Sequence, residues 1–430
     1  MKLSALTKRL KPSATLSINE QIVKKREKGE YVLHMGFGES PFPVHPIFRN
    51  ALSKNADKKS YQPTQGILPL RERISAFYKT IFNLRYSPDQ IIVAPGSKAL
   101  LLDALMALDG PLFLPAPSWV SYQHQARFSG KEVYHLQTLP ENSYRLTPDT
   151  LEKTVSQYVP DRQKQKILLL NYPCNPTGHS FSAAQLKDLA SVARDLNIII
   201  LSDEIYALIS YQGQKHHSVA EFYPEGTLVT GGLSKDRSLG GFRLGVMLLP
   251  EGEKALLRAV LSIGSESWSC AAAPIQYAAL EAYKTSPEIV NFIKDCTAIH
   301  EIITRYVHRR IEEIDIRCPP PQGAFYLFPD WNEYQETLVK KGIISSNDLA
   351  TTLIKEWNVA TLPGSEFGMA PDNLCIRIAT VDYDGAATLK KFLENRKDVE
   401  NDPELFIHSV APRIVEACNQ FEKFTDSIRT

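Results

Sequence analysis

Gly231-Gly232-Leu233-Ser234-Lys235-Asp236-Arg237-Ser238-Leu239-Gly240-Gly241-Phe242-Arg243-Leu244-Gly245 decides how the chain is read. A lysine sits among small residues, directly after Thr227-Leu228-Val229-Thr230, a run that reads as a strand end. An arginine follows eight positions later, past a glycine pair. Surface lysines normally lie among other charges on a helix face. Here the glycines let the backbone fold closely around a bound group. A lysine held in that way, with an arginine for an anion, is what a Schiff-base cofactor carrying a phosphate requires. A Gly-rich turn with an ordinary surface lysine has the same composition, so this stretch alone leaves both readings open.

The chain of 430 residues is long enough for two or three domains with a sizeable core. Lys plus Arg at 49 balance Asp plus Glu at 48, so no basic excess points to nucleic acid or an anionic membrane. The cysteines, Cys174, Cys270, Cys296, Cys318, Cys375 and Cys418, are scattered without zinc spacing and read as reduced, mostly buried thiols. The first residues, Met1 to Leu10, contain no long apolar stretch ahead of a cleavage site. No apolar run approaches the ~18 residues of a membrane span. A cytoplasmic protein is expected.

Around the lysine segment the chain alternates strands and helices. Ile91-Ile92-Val93 is a short strand running into Pro95-Gly96-Ser97. Lys98 to Asp109 has helical spacing at Leu101, Leu105 and Leu108, with Gly110 as the stop and Ser97 in the N-cap position. Free N–H groups and the helix dipole at such a start attract a phosphate, and Gly96 allows close approach. Lys166 to Leu170 reads as a buried parallel strand. Ser182 and Gln185 form a capping box ahead of a helix with Leu186, Leu189, Val192 and Leu196 on one face. Asn197 to Leu201 is a strand that delivers Asp203, Glu204 and Tyr206 at its carboxyl end, where open α/β sheets bind ligands. Leu244 to Leu249 reads as a core strand, and helical patterning runs from Glu253 through Tyr283. A tail from Asn401 contains a helix starting at Pro412, with Ile414, Val415, Cys418 and Phe421 on one side for packing.

Ser234-Lys235 followed by Gly-Gly-Phe-Arg-Leu-Gly resembles the cofactor-lysine segment of fold-type I pyridoxal 5′-phosphate (PLP) aminotransferases of class I/II, and the resemblance extends from about Lys11 to about Phe392. Tyr61 to Arg71 resembles the family's Tyr-x-x-x-x-Gly-Ile-x-x-Leu-Arg segment. Pro117-Ser118-Trp119-Val120-Ser121-Tyr122, Asn175-Pro176-Thr177-Gly178 and Gly323-Ala324-Phe325-Tyr326 resemble further family segments. Gly38-Glu39 matches the family's Gly-Glu-Pro except that Ser40 is inserted before Pro41. Gly232 stands where many members carry Ser or Thr, and Phe242 replaces the commoner tryptophan.

The resemblance implies an α/β fold: a large domain with a mostly parallel sheet between helices, and a smaller α+β domain from the two chain ends. The expected divisions are 1–45 (arm and part of the small domain), 46–289 (large PLP-binding domain), 290–396 (small domain) and 397–430 (helical tail packed on it). It implies that Lys235 carries the cofactor as a Schiff base and then moves protons. Asp203 would face the pyridinium nitrogen, Tyr206 and Asn175 the phenolic oxygen, and Trp119 the ring. Gly96, Ser97, Lys98, Ser234 and Arg243 would hold the phosphate, with Tyr61 of a neighbouring subunit, so a homodimer with shared active sites is expected. Arg377 would clamp the substrate α-carboxylate, oriented by Asn175 and close to Gly38. Thr15 and Lys98 match positions that bind a distal carboxylate in a subset of bacterial aspartate aminotransferases. The implied activity is ping-pong transfer of an amino group from an L-amino acid to a 2-oxo acid such as 2-oxoglutarate, with a dicarboxylic donor favoured. An aromatic or aliphatic donor, and a C–S or β-lyase of the same fold, remain open.

Overall fold

The computed structural model describes Lys2 and residues 14–429, so Lys11, Pro12 and Ser13 of the expected arm lie outside the described residues. The strands are β1 (Leu33–His34), β2 (Ile91–Ala94), β3 (Leu112–Ala116), β4 (Val133–Gln137), β5 (Lys166–Asn171), β6 (Ile198–Asp203), β7 (Thr227–Gly232), β8 (Gly245–Leu248), β9 (Tyr326–Leu327), β10 (Val359–Ala360), β11 (Leu362–Pro363) and β12 (Ile376–Ala379). Seven of them form one sheet in the order β2-β8-β7-β6-β5-β3-β4. Only β8 runs against its neighbours; the other pairings are parallel. The strands are apolar throughout rather than alternating, because helices cover both faces and nearly every residue of β2, β5 and β7 is buried. Sheet and helices thus make the mostly parallel α/β architecture expected of fold type I.

Capping chemistry sets several helix starts. Ser182 Oγ accepts from Gln185 N–H, and Gln185 Oε1 accepts from Ser182 N–H, which starts the helix Ala183–Asp195. The helix after β2 differs from expectation. Gly96 is its N-cap at φ 94°, and Ser97 is the first helical residue, making no capping bond. The chain must turn sharply out of β2, and glycine enters that left-handed region without steric cost. This helix stops at Ala107, ahead of Gly110, because Leu108 is already extended. The helical stretch from Glu253 to Tyr283 is two helices, Lys254–Ser267 and Ala273–Ala282. Ser269 breaks them at φ 62°, and Pro274 has no N–H with which to continue a preceding turn.

β11, β12 and β9 form a separate antiparallel sheet, and β1 pairs in parallel with β10. One hydrophobic cluster joins Leu33, Met35 and Phe42 to residues of the long helix Pro287–Glu312, to Trp331 and Ile376, and to the tail. The tail helix Pro412–Arg429 buries Ile414, Cys418, Phe421, Phe424 and Ile428. Trp331 lies beside Phe421, with ring centroids 6.1 Å apart and the planes tilted by 41°, and its indole N–H donates to Thr425 Oγ1. All six cysteines are free, and Cys270 is the one not fully buried. Among the described residues, no helix is long and apolar enough to cross a membrane, and no cluster of ligating side chains suits a metal ion.

Because Phe421 is fully buried in this cluster, Phe421→Ala should cost about 3–5 kcal/mol in urea unfolding. kcat of the folded fraction should stay at the wild-type value, since the tail contributes no residue to the cavity described next. A large fall in kcat at unchanged stability would contradict the packing role of the tail.

Candidate active site

The carboxyl ends of the parallel strands open into one cavity of about 390 Å3. β6 ends at Asp203, and the chain then supplies Ile205 and Tyr206. β5 ends at Asn171, and the loop after it brings Asn175. β7 leads into Ser234 and Lys235. The turn after β3 supplies Trp119, the helix Val120–Phe128 that follows supplies Tyr122, and the helix after β2 supplies Ser97 and Lys98. Phe37, Gly38, Glu39, Tyr326 and Arg377 close the opposite wall, with Gly240 and Arg243 beside the lysine segment. Four cations, Lys98, Lys235, Arg243 and Arg377, face two carboxylates, Glu39 and Asp203. The cavity is therefore suited to anionic ligands.

Asp203 is 3% exposed. Tyr122 Oη donates to its Oδ2 at 2.7 Å and Thr230 Oγ1 to its Oδ1 at 3.2 Å. Burial raises its pKa to about 6 in spite of these donors. Asn171 Nδ2 donates to the Asp203 carbonyl, and Asn171 Oδ1 accepts from Asn175 N–H, which ties the two strand-end loops together.

Lys235 Nζ donates to the Gly38 carbonyl at 2.8 Å. Lys98 Nζ lies 4.8 Å from the centre of the Trp119 ring. Burial, and then the charges of Arg243 and Lys235, hold the Lys98 pKa below the usual lysine value. Arg243 takes φ 52°, and its Nη1 donates to the Gly240 carbonyl. At Gly245 the backbone is packed too tightly for any side chain, and at Gly96 the positive φ favours glycine. A Cβ on Gly245 would lie 2.1 Å from Ser97 N, and one on Gly96 would lie 2.4 Å from Arg243 Nη2.

Arg377 is 1% exposed. Its Nη1 donates to Asn175 Oδ1 at 3.2 Å and its Nη2 to the Gly36 carbonyl, while Nε has no partner. Among the described residues neither Arg377 nor Lys98 has a carboxylate within ion-pair distance. Burial lowers the Arg377 pKa from the usual arginine value. The guanidinium thus keeps one unpartnered nitrogen and, among the described residues, no counter-charge, and its planar fork is the group suited to a carboxylate.

The structure thus gathers Gly38, Ser97, Lys98, Trp119, Asn175, Asp203, Tyr206, Ser234, Lys235, Arg243 and Arg377 around one space, with Gly96 against Arg243. Tyr61 does not join them; it is 89% exposed. Thr15 falls in the helix Ala14–Glu27, but its side chain lies outside the described residues. Sequence reading missed the donors Tyr122 and Thr230, the linking residue Asn171, and the wall residues Phe37, Glu39, Ile205, Gly240 and Tyr326. Thr230 is set by register, since it is the cross-strand partner of Asp203.

The model of the family "Aminotransferase class I and II" matches residues 32–393. The aspartate aminotransferase of Bacillus subtilis is 31% identical over 405 residues, covering 92% of this chain and 99% of its own. A probable aspartate/prephenate aminotransferase of Aquifex aeolicus is 31% identical over 411 residues, covering 91% of this chain and 98% of its own. The solved aspartate aminotransferase of Thermus thermophilus with maleate superposes with a TM-score of 0.83 at 24% identity, covering 98% of this chain and 99% of that one, which shows the shared fold. Fold, lysine and cationic cavity together define a PLP-dependent aminotransferase. The chain belongs to the class I and II aminotransferase family.

The donor set fits that cofactor. Gly96 and Gly245 allow the helix start at Ser97 and the Arg243 guanidinium to pack together at the cavity edge, a combination that suits a phosphate. Asp203 is a buried acid awaiting a cation, and the unpartnered Arg377 Nε awaits an anion.

The raised Asp203 pKa makes a stability prediction for the cofactor-free protein. The folded chain holds this proton more tightly than the unfolded chain, so the contribution is fully present below about pH 4 and is lost as pH rises through about 6. Asp203→Asn cannot ionise. In urea unfolding at pH 7 it should be more stable than the unsubstituted apoprotein by about 2–3 kcal/mol, with the gap closing at pH 4. A gap independent of pH would contradict the buried-acid assignment.

Proposed function

We propose that this aminotransferase takes a dicarboxylic L-amino acid, aspartate foremost, as donor and 2-oxoglutarate as acceptor. The carrying observation is Lys98, a partly buried cation in the cavity with no carboxylate partner among the described residues. Arg377 supplies one carboxylate clamp, and Lys98 supplies a second. The names of the relatives, aspartate and aspartate/prephenate aminotransferases, support the same reading.

When bound, PLP supplies an electron sink for the charge that develops at the substrate Cα. In this reading, Asp203, ionised opposite a cation, keeps the pyridine nitrogen protonated. Tyr206 and Asn175 would donate to the phenolic oxygen, and Trp119 would cover the ring and exclude water. Gly96, Ser97, Ser234 and Arg243 hold the phosphate. Arg377 fixes the α-carboxylate close to Gly38, which aims the Cα–H bond at Lys235. Lys235 Nζ, held by the Gly38 carbonyl rather than by a carboxylate, would take that proton and deliver it to the cofactor's C4′ carbon, the shift that leaves the substrate as a 2-oxo acid. Amino-group transfer without release of pyruvate separates this activity from a lyase. Lys98→Ala should reduce kcat/KM for aspartate by about 2–5 kcal/mol in transition-state binding and affect alanine or phenylalanine far less. Equal losses for all donors would confine Lys98 to the phosphate and remove the dicarboxylate reading.

The working unit in this proposal is a homodimer. Tyr61 at 89% exposure, in a segment that matches the family, supports a side chain that completes the partner's phosphate site. Mixing the separately inactive Tyr61→Ala and Lys235→Ala proteins should restore part of the activity through hybrid dimers that hold one intact site. A fully active monomer in sedimentation would contradict it. The divisions 1–45, 46–289, 290–396 and 397–430 are likewise proposed, supported by the cluster that unites Leu33 to Phe42 with residues beyond 289. A reducing, cytoplasmic setting is part of the same reading, supported by six unpaired thiols.

A further inference from the structure

Two tyrosines of the cavity are joined through their hydroxyls. Tyr206 Oη and Tyr326 Oη are 2.9 Å apart, and both side chains are buried. Tyr326 lies on β9 opposite Ala379 of β12. Arg377 is two residues before Ala379, so it projects from the same face, diagonal to Tyr326. The small Ala379 leaves room for the Tyr326 ring to reach under the guanidinium, 4.8 Å from Arg377 Cζ to the ring centre. The Tyr326 hydroxyl also stands 3.5 Å from the Gly38 carbonyl, at the limit of a hydrogen bond. Only a glycine fits there, since a Cβ on residue 38 would lie 2.0 Å from Tyr326 Oη.

We propose that Tyr326 is a positioning residue for the transamination: its hydroxyl donates to Tyr206 and strengthens Tyr206 as a donor, while its ring supports Arg377. The inference rests on the proposed role of Tyr206 at the cofactor's phenolic oxygen. Each phenol has one proton. Once Tyr206 directs its proton to the cofactor, the contact with Tyr326 survives only if Tyr326 donates. A hydroxyl that accepts one hydrogen bond donates the next more strongly, and burial enhances the effect. The two halves of the side chain therefore act separately, the hydroxyl on the cofactor's electronics and the ring on the carboxylate clamp.

The test is the pH midpoint of the visible absorbance of the PLP-loaded enzyme, read beside kcat and KM. Tyr206→Phe should raise the midpoint, because a donor that stabilises the phenolate is lost. Tyr326→Phe should raise it in the same direction by less, about 0.3–1 unit, with donor KM within about twofold of wild type. In the Tyr206→Phe background, Tyr326→Phe should add no further shift. Tyr326→Leu should also raise donor KM about tenfold by removing the ring beneath Arg377. If Tyr206→Phe moves the midpoint and Tyr326→Phe does not, the inference is overturned and the Tyr206 reading stands. If neither moves it, both fall. A Tyr326→Phe shift that persists without the Tyr206 hydroxyl also overturns the inference. A purely structural role would lower the melting temperature of both Tyr326 variants and leave the midpoint in place.

Discussion

The rest of the site depends on a carboxylate buried at the end of a parallel strand. Asp203 emerges from β6 with hydrophobic strands on either side and is removed from water by the helices that cover the sheet. Two hydroxyl donors do not offset its desolvation, and its pKa stays high until a cation faces it. Arg377 is the mirror case, a buried guanidinium with one nitrogen unpartnered. Folding holds these groups in unfavourable surroundings, which in the proposed function the cofactor and the substrate would complete. That is electrostatic preorganisation: charges already fixed need no reorientation when the reaction reaches its transition state.

Backbone constraints place the remaining charges. Gly245 of β8 packs against Ser97 so closely that no side chain fits, which brings the helix start and its free N–H groups to the edge of the cavity. Arg243, two residues earlier, adopts a left-handed conformation that glycine adopts more easily, and thereby reaches the same edge. On the far wall, Gly38 accepts from Lys235 and makes room for Tyr326, so one loop touches the lysine, the tyrosine pair and the neighbourhood of Arg377. A small shift of that loop would therefore move several functional groups together.

The residues legible in the sequence are those that strand ends deliver locally. Asp203, Asn175, Trp119 and Lys235 each follow an apolar run by a few positions, and the family segments around them are contiguous. Of what escaped the sequence, Asn171 and Ile205 are local to strand ends, whereas the donors to Asp203 and the tyrosine pair depend on contacts across the chain. Tyr122 serves Asp203 from the helix Val120–Phe128, and Thr230 serves it because β7 lies in register with β6. Tyr326 meets Tyr206 across 120 positions, set by the register of β9 on β12. Helix ends were misplaced by a few residues where local backbone conformation prevailed over composition, as at Gly96 and Ser269. Tyr61 is exposed in the single chain, and only the proposed dimer would give it a place in a site.

In the proposed function Lys235 is the covalent attachment point for the cofactor. Borohydride reduction of the PLP-loaded enzyme, followed by peptide mapping, tests it most directly. The account predicts a single pyridoxyl-modified peptide containing Ser234-Lys235-Asp236, absent from the Lys235→Ala protein. Modification at Lys98 or any other lysine, with Lys235 unmodified, would contradict it.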